Sequence, residues 1–165
     1  MKTCHAIGGK RTAGRTGRRG SASVELAIIM PTLVIILFGI IEVASLGKDT
    51  VALNHLAREG VRCAAVGATP TLISAHINAS ATGIDLSKLT TLYEYRTFNT
   101  ATLTYSAWVA LGTADGRNNA VAGDQIRVTL WYGHPLVTGG LFLGMADDSD
   151  DGNMTIGATA TMCRE

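Results

Sequence analysis

The feature that most constrains this chain is a long apolar run near its N-terminus. From Leu26 to Leu46 the sequence reads LAIIMPTLVIILFGIIEVASL, and no charged residue occurs in it before Glu42. A helix rises about 1.5 Å per residue, so about 20 apolar residues cross the roughly 30 Å hydrocarbon core of a bilayer. Backbone groups in lipid must hydrogen-bond within their own segment, so a single span must be a helix. A buried helix of a soluble protein would show a polar stripe, which this run lacks.

The charges on either side of this run are distributed unevenly. Residues 1–20 contain six of the fourteen basic residues and no acid, whereas residues 21–165 contain eight basic residues against thirteen acidic ones, a net charge of −5. A basic arm can bind nucleic acid, but ahead of a membrane helix it is sufficiently explained as the cytoplasmic flank. We therefore predict a cytoplasmic leader at 1–20, a single transmembrane helix at 21–47 and an extracytoplasmic domain at 48–165, and we expect no nucleic-acid partner.

A short motif directly before the apolar run indicates proteolytic processing. Type IV prepilin peptidases cut after a glycine that follows a basic leader, and the residue five places further on is characteristically glutamate. Gly20 and Glu25 have this relation, and cleavage would leave Ser21 as the new N-terminus. A glutamate at the lipid boundary is costly, but in a filament Glu25 can pair with the α-amino group of a neighbouring subunit and so set subunit registration.

Two alternatives to this processing site stay open. The segment can be an ordinary signal-anchor whose glutamate is accidental. It can also be a secretory signal peptide cut after the apolar run, near residues 46–48, although the run is long for such a peptide and Glu42 falls where the peptidase would read.

The chain resembles the TadE-like proteins, which are minor pseudopilins of the tight-adherence (Flp, type IVb) pilus system. Pro31 within the apolar run matches that family, as do several stretches: RGSASVEL at 19–26, GIIEV at 39–43, ALNHLAREGVR at 52–62, GDQIRVTL at 123–130 with Tyr132 and Pro135 after it, and IGATATM at 156–162. Residues 68–120 carry no match. Processed members often have an aromatic residue after the glutamate, where this chain has Leu26. The resemblance implies a non-enzymatic role in pilus assembly or the associated secretion machinery, with a prepilin peptidase and other pilins or machinery subunits as partners.

The region beyond the membrane segment predicts an α+β domain. Apolar residues spaced three and four apart continue the helix to about residue 66, where Gly67 and then Pro70 end it. A short second helix is expected over 71–80. Segments rich in β-branched and aromatic residues predict strands at 89–95, 101–109, 125–132 and 154–162. Helices followed by such strands indicate a small pilin-like domain with an antiparallel sheet.

Few residues of the predicted outer domain suggest a specific site. Cys63 and Cys163 would both lie in an oxidising compartment and can form a disulfide there, or remain two separate thiols. Asp147, Ser149 and Asp151 resemble the start of a calcium loop, but Ala158 stands where an EF-hand needs a glutamate. A looser calcium site and a solvated acidic turn both stay open there.

No catalytic motif is recognisable in the sequence. The four histidines have no metal-type spacing and no nucleophile–base arrangement, and the glycines form no phosphate loop. We therefore expect neither enzyme activity, nor a cofactor, nor a small-molecule substrate. The leading hypothesis is a TadE-like pseudopilin or pilus-assembly component, and the alternatives are a single-pass membrane-anchored binding module and a secreted enzyme.

Overall fold

A computed structural model describes residues 17–138 and 153–165, with side chains from residue 22 onward. Two helices come first: α1 spans Gly17–Ala65 and α2 spans Pro70–Ser80. A 3₁₀ turn at Leu86–Lys88 leads into the strands. These are β1 (Leu89–Arg96), β2 (Phe98–Asn99), β3 (Thr104–Tyr105), β4 (Val109–Ala110), β5 (Thr113–Ala114), β6 (Arg117–Asn118), β7 (Gln125–Pro135) and β8 (Asn153–Cys163). The predicted α+β class with a long N-terminal apolar helix and a small antiparallel sheet is confirmed.

The principal sheet has the strand order β4-β1-β7-β8, and every neighbouring pair in it is antiparallel. The long strand β7 lies at its centre, with Leu89 of β1 opposite Tyr132 and Cys163 of β8 opposite Gln125. Two small hairpins, β2–β3 and β5–β6, accompany the sheet. Three of the four predicted strands correspond to β1, β7 and β8.

The predicted strand at 101–109 is wrong. The chain turns at residues 100–103, so that β2 and β3 form a hairpin, and Leu103 has a φ of 54°. The side-chain oxygen of Asn99 accepts hydrogen bonds from the backbone N–H groups of Ala101 and Thr102. Such local bonds from an asparagine side chain favour a turn over a continuous ladder.

The C-terminal end of α1 is closed by a glycine motif and by groups from distant parts of the chain. Gly67 has a φ of 98°, and the bonds from Gly67 N to Ala64 O and from Ala68 N to Cys63 O form the backbone pattern that ends many helices. The Asn118 side chain donates to Ala64 O over 2.7 Å, and Arg164 Nη1 donates to Ala65 O over 2.9 Å. Helix carbonyls that would otherwise lack partners are therefore satisfied.

The contacts of the chain separate it into two compact units, one ending at Gly39 and the other comprising residues 40–165. The core of the second unit lies between the helices and one face of the sheet. Alternate residues of β7 point into this core because side chains in a strand alternate between its two faces. The buried core residues are Leu53, Leu56, Ala57, Val61 and Ala64 of α1, Ile73 and Ile77 of α2, Ile126, Val128, Leu130 and Tyr132 of β7, Ala158 of β8, and Ile84, Leu111 and Ala120 of the connecting segments.

Gly60 allows α1 to approach α2 and the sheet closely. A Cβ atom at this position would lie 2.8 Å from Cδ1 of Ile77 and 3.4 Å from Cγ1 of Val128. Gly47 on the same helix has no atom within 4 Å of the equivalent position. Gly60 therefore serves packing, whereas Gly47 does not.

We predict opposite effects for substitutions at these two glycines. Gly60→Val should lower the free energy of unfolding by about 1–3 kcal/mol, because the added atoms overpack the junction with Ile77. Gly47→Ala should raise it by about 0.5–1 kcal/mol, because alanine is the better helix former. Thermal unfolding of the full chain in detergent micelles measures both. Equal stability of the Gly60→Val variant and the wild type would contradict the close packing.

Candidate functional site

The first part of α1 exposes a continuous apolar surface. Within residues 17–138 and 153–165, α1 is the one helix long and apolar enough to cross a membrane, judged by length and composition. Its most apolar stretch is not buried by the rest of the protein. The large exposed side chains are Val24, Leu26, Ile28, Ile29, Met30, Leu33, Val34, Ile35, Ile36, Leu37, Phe38, Ile40, Ile41 and Val43. This distinguishes α1 from the core helix of a soluble protein and suggests single-pass membrane anchoring.

The predicted processing residues lie in the first turns of α1. Gly20 and Ser21 are part of the helix, and the Glu25 side chain is exposed. A peptidase that cuts after Gly20 would therefore meet a helical segment here unless the helix opens locally. Helix α1 also continues through Pro31 without ending there.

Glu42 marks a change in the environment of α1. Before it, nearly every side chain from residue 22 onward is exposed; from it, one face of the helix is buried. The buried positions begin with Glu42 and Asp49 and continue with Leu53, Leu56 and Ala57. Glu42 and Asp49 are seven residues apart, so they lie two turns apart on the same face.

These two carboxylates meet His134 at the end of β7. His134 Nδ1 lies 2.7 Å from Asp49 Oδ2, and His134 Nε2 lies 3.7 Å from Glu42 Oε1. All three side chains are at most 5 % exposed. His134 follows the alternation that also buries Ile126, Val128, Leu130 and Tyr132, so β7 directs it toward α1.

The Glu42 carboxylate also holds the segment that follows β7. It accepts hydrogen bonds from the backbone N–H groups of Val137 and Thr138, each over 3.2 Å, and from the Thr138 hydroxyl over 3.1 Å. A buried carboxylate is tolerated only when hydrogen bonds and opposite charge compensate its lost hydration. Glu42 therefore ties α1 to the end of β7, and we name Glu42, Asp49 and His134 the buried triad.

A cation stands at the edge of the buried triad. Lys48 Nζ lies 3.2 Å from Asp49 Oδ1, where it forms an ion pair without the alignment of a hydrogen bond. The Lys48 side chain is 67 % exposed, so water screens much of its charge. Two carboxylates thus share one buried histidine and one largely solvated lysine.

Sequence reasoning noticed Glu42 as an isolated acid in the apolar run but did not find the triad. His134 was not singled out, because the histidines lack metal-type spacing. Its partner Asp49 is 85 positions away in the sequence, so no local spacing could indicate the contact. One usable signal was present: His134 extends the buried alternation of β7 by one more step, and a polar residue at such a position needs a partner.

The two cysteines of the described residues are free thiols in the structure, which does not contain the predicted disulfide. Side chains in a strand point alternately to its two faces, and Ala158 of β8 points into the core that α1 also lines. Cys163 is an odd number of residues from Ala158, so it lies on the opposite face, with Thr159 and Thr161. Cys63 packs against the core from α1. Burial and the nearby Glu59 carboxylate raise the pKa of the Cys63 thiol, which reduces its thiolate fraction. The Cys63–Cys163 pairing stays a prediction.

Other predicted features lie outside the described residues. They are the basic leader up to residue 16 and the calcium candidates Asp147, Ser149 and Asp151. In the part of the chain that the structure describes, no group of three or more histidine, cysteine, aspartate or glutamate side chains could hold a metal ion.

One comparison with known proteins finds a family for the first part of the chain. Residues 20–62 match the model of the TadE-like protein family. The suspected resemblance is thereby confirmed over the stretch from the predicted processing site to the last turn of α1. Neither the curated proteins nor the solved structures contain a significant match to the chain. The family match and the candidate membrane helix together support a membrane-anchored protein related to the tight-adherence pilus.

We predict that removal of the Glu42 carboxylate destabilises the domain. Glu42→Ala leaves two backbone N–H groups without their acceptor and a buried histidine without one carboxylate, so it should cost about 3 kcal/mol or more. Glu59→Ala is the matched control on the same helix. The Glu59 carboxylate makes a surface ion pair with Arg62 over 3.8 Å, and its loss should change stability by no more than about 0.5 kcal/mol. Thermal unfolding in micelles compares the two, and equal losses would contradict a special role for Glu42.

Proposed function

We propose that this chain is a minor pseudopilin or pilus-assembly component of a type IVb (tight-adherence) pilus or secretion system. The observation that carries the proposal is the position of the family match, because residues 20–62 comprise the predicted processing site, the apolar helix and the helical stem beyond it. The candidate membrane helix in the same stretch supports it.

In this proposal the chain is inserted by α1 with its N-terminus in the cytoplasm and its sheet domain outside. The six basic residues of 1–20 support this orientation, since cytoplasmic flanks are enriched in lysine and arginine. The lipid-facing part of the helix would run from about residue 22 to Ile41. That length of about 20 residues matches the hydrocarbon thickness of a bilayer.

A prepilin peptidase would then cut between Gly20 and Ser21. Cleavage removes the basic leader and creates a positively charged α-amino group directly before the apolar surface of α1. In an assembly, the exposed Glu25 of one subunit would pair with the Ser21 amino group of its neighbour. An ion pair is stronger in a low-dielectric environment than in water, so this pairing would favour one register between adjacent helices.

We predict that the mature protein isolated from membranes begins at Ser21. N-terminal sequencing of the cellular protein measures this directly. Gly20→Ala should abolish the Ser21 terminus, because the peptidase requires glycine before the cut. A mature protein beginning at Met1 would support the membrane-anchored binding module, and one beginning near residues 46–48 would support a secreted protein. Cleavage at Ser21 that survives Gly20→Ala would contradict the assignment of the processing site.

A second prediction concerns assembly. Glu25→Leu should leave membrane insertion and the Ser21 terminus intact but reduce co-purification with pilin-containing assemblies by about tenfold, the factor that corresponds to about 1.4 kcal/mol. Ile29→Leu, a conservative change on the same exposed apolar surface, is the matched control and should behave as the wild type. Cross-linking followed by recovery of the tagged chain provides the measurement, and unchanged recovery of the Glu25→Leu protein would remove Glu25 from the proposal.

A further inference from the structure

One of the two ring nitrogens of His134 has a hydrogen-bond partner and the other has none. Its Nδ1 is 2.7 Å from Asp49 Oδ2, so the N–H group at this position donates to the carboxylate. Its Nε2 is buried and has no hydrogen-bond partner, and Glu42 Oε1 lies 3.7 Å away, beyond hydrogen-bond distance. The charge on the ring therefore decides whether this second contact attracts or repels.

In the neutral ring the contact is unfavourable. A proton on Nδ1 leaves a lone pair on Nε2, which then faces a carboxylate oxygen, and neither atom can donate. The two buried carboxylates would have Lys48 as their cation, and that side chain is 67 % exposed and pairs with Asp49. In the imidazolium both nitrogens carry a proton, so the ring attracts Asp49 at one end and Glu42 at the other.

Among the described residues, the charged groups paired with the ring are the carboxylates of Glu42 and Asp49. Glu42, Asp49 and Lys48 come from α1, Tyr132 shares the inward face of β7, and the residue opposite His134 on β8 is the uncharged Met154. The charge balance at His134 is thus set by Glu42 and Asp49, with Lys48 at the edge.

We propose that the buried triad is a proton-binding latch in which the imidazolium form of His134 holds the Glu42 region of α1 to the end of β7. The contacts that this latch secures are the bonds from Val137 and Thr138 to the Glu42 carboxylate. In this proposal Glu42 attracts the ring only while Nε2 carries a proton, so proton binding and closure of the latch favour each other. The stability that this proton contributes is present at low pH and is lost as the pH rises.

The inference is independent of a role in a pilus, because it rests on contacts within residues 40–165. Histidine side chains change charge between about pH 5 and 8. For one proton, linkage makes the closed state up to about tenfold less favourable for each pH unit over which the proton is lost. The latch therefore predicts a pH-dependent opening confined to the end of β7 and the segment after it.

Hydrogen exchange of the full chain in detergent micelles tests this prediction. The protection factors of the peptide covering residues 130–138, each corrected for the intrinsic exchange rate at its pH, should fall by about tenfold or more between pH 5.5 and 8. His134→Asn keeps an amide donor toward Asp49 but cannot carry the charge, so its profile should be flat. His55→Asn, at an exposed position on α1, is the matched control and should retain the wild-type profile. A flat wild-type profile, or a His134→Asn profile as steep as the wild type, would overturn the proposal.

A second measurement on the wild-type protein keeps the test valid if His134→Asn does not fold. The ring nitrogen resonances of His134 should show both nitrogens protonated at pH 5.5 and one of them deprotonated at high pH, in step with the loss of protection. A ring that stays in one charge state from pH 5 to 8 would overturn the latch. A change in protection on adding zinc or a chelator at constant pH would also overturn it, because the space between Nε2 and Glu42 Oε1 would then hold a metal ion.

Discussion

The domain depends on the packing of one helical face against one strand. From Glu42 to Ala64, α1 buries a stripe of side chains, and β7 presents every second residue to it. Most of the stripe is aliphatic and gains stability by leaving water, at about 25 cal/mol for each Å² of apolar surface. The stripe begins, however, with two carboxylates, which gain nothing from burial unless partners are supplied. The structure supplies them through His134 and the segment after β7, so a polar contact and an apolar contact share the same helix face.

The strongly periodic parts of this fold were readable from the sequence. The spacing of apolar residues in α1 matches the repeat of a helix. The alternation of residues in 89–95, 125–132 and 154–162 matches the two-residue repeat of a strand. The end of α1 was predicted within about one residue because Gly67 adopts a positive φ that other residues rarely adopt. The prediction of a strand at 101–109 was wrong because it relied on the β-branched residues of that segment. It did not take into account Asn99 before them, whose side chain accepts a hydrogen bond from Ala101 N and so stabilises a turn.

The candidate site was only partly predictable, for a related physical reason. Gly20, Ser21 and Glu25 are defined by local spacing, and the family match begins at Gly20. The triad is defined by tertiary structure, since Glu42 and Thr138 are 96 positions apart and meet only after β7 has packed on α1. The sheet lies beyond residue 62, outside the family match. The triad joins the two regions, with its acids within the matched stretch and its histidine outside it.

The way in which α1 ends has a kinetic consequence. Two groups that satisfy its last carbonyls, Asn118 and Arg164, are 54 and 99 positions away from the residues they bond. Closing such long loops costs conformational entropy before any contact stabilises them, so contacts of this kind form late in folding. Until then the stripe on α1 has no sheet to cover it. For a chain anchored in a bilayer, the nearest apolar surface is the lipid itself, and amphipathic helices adsorb there readily. The membrane would therefore act as a temporary partner for the same helix face that the completed sheet later covers.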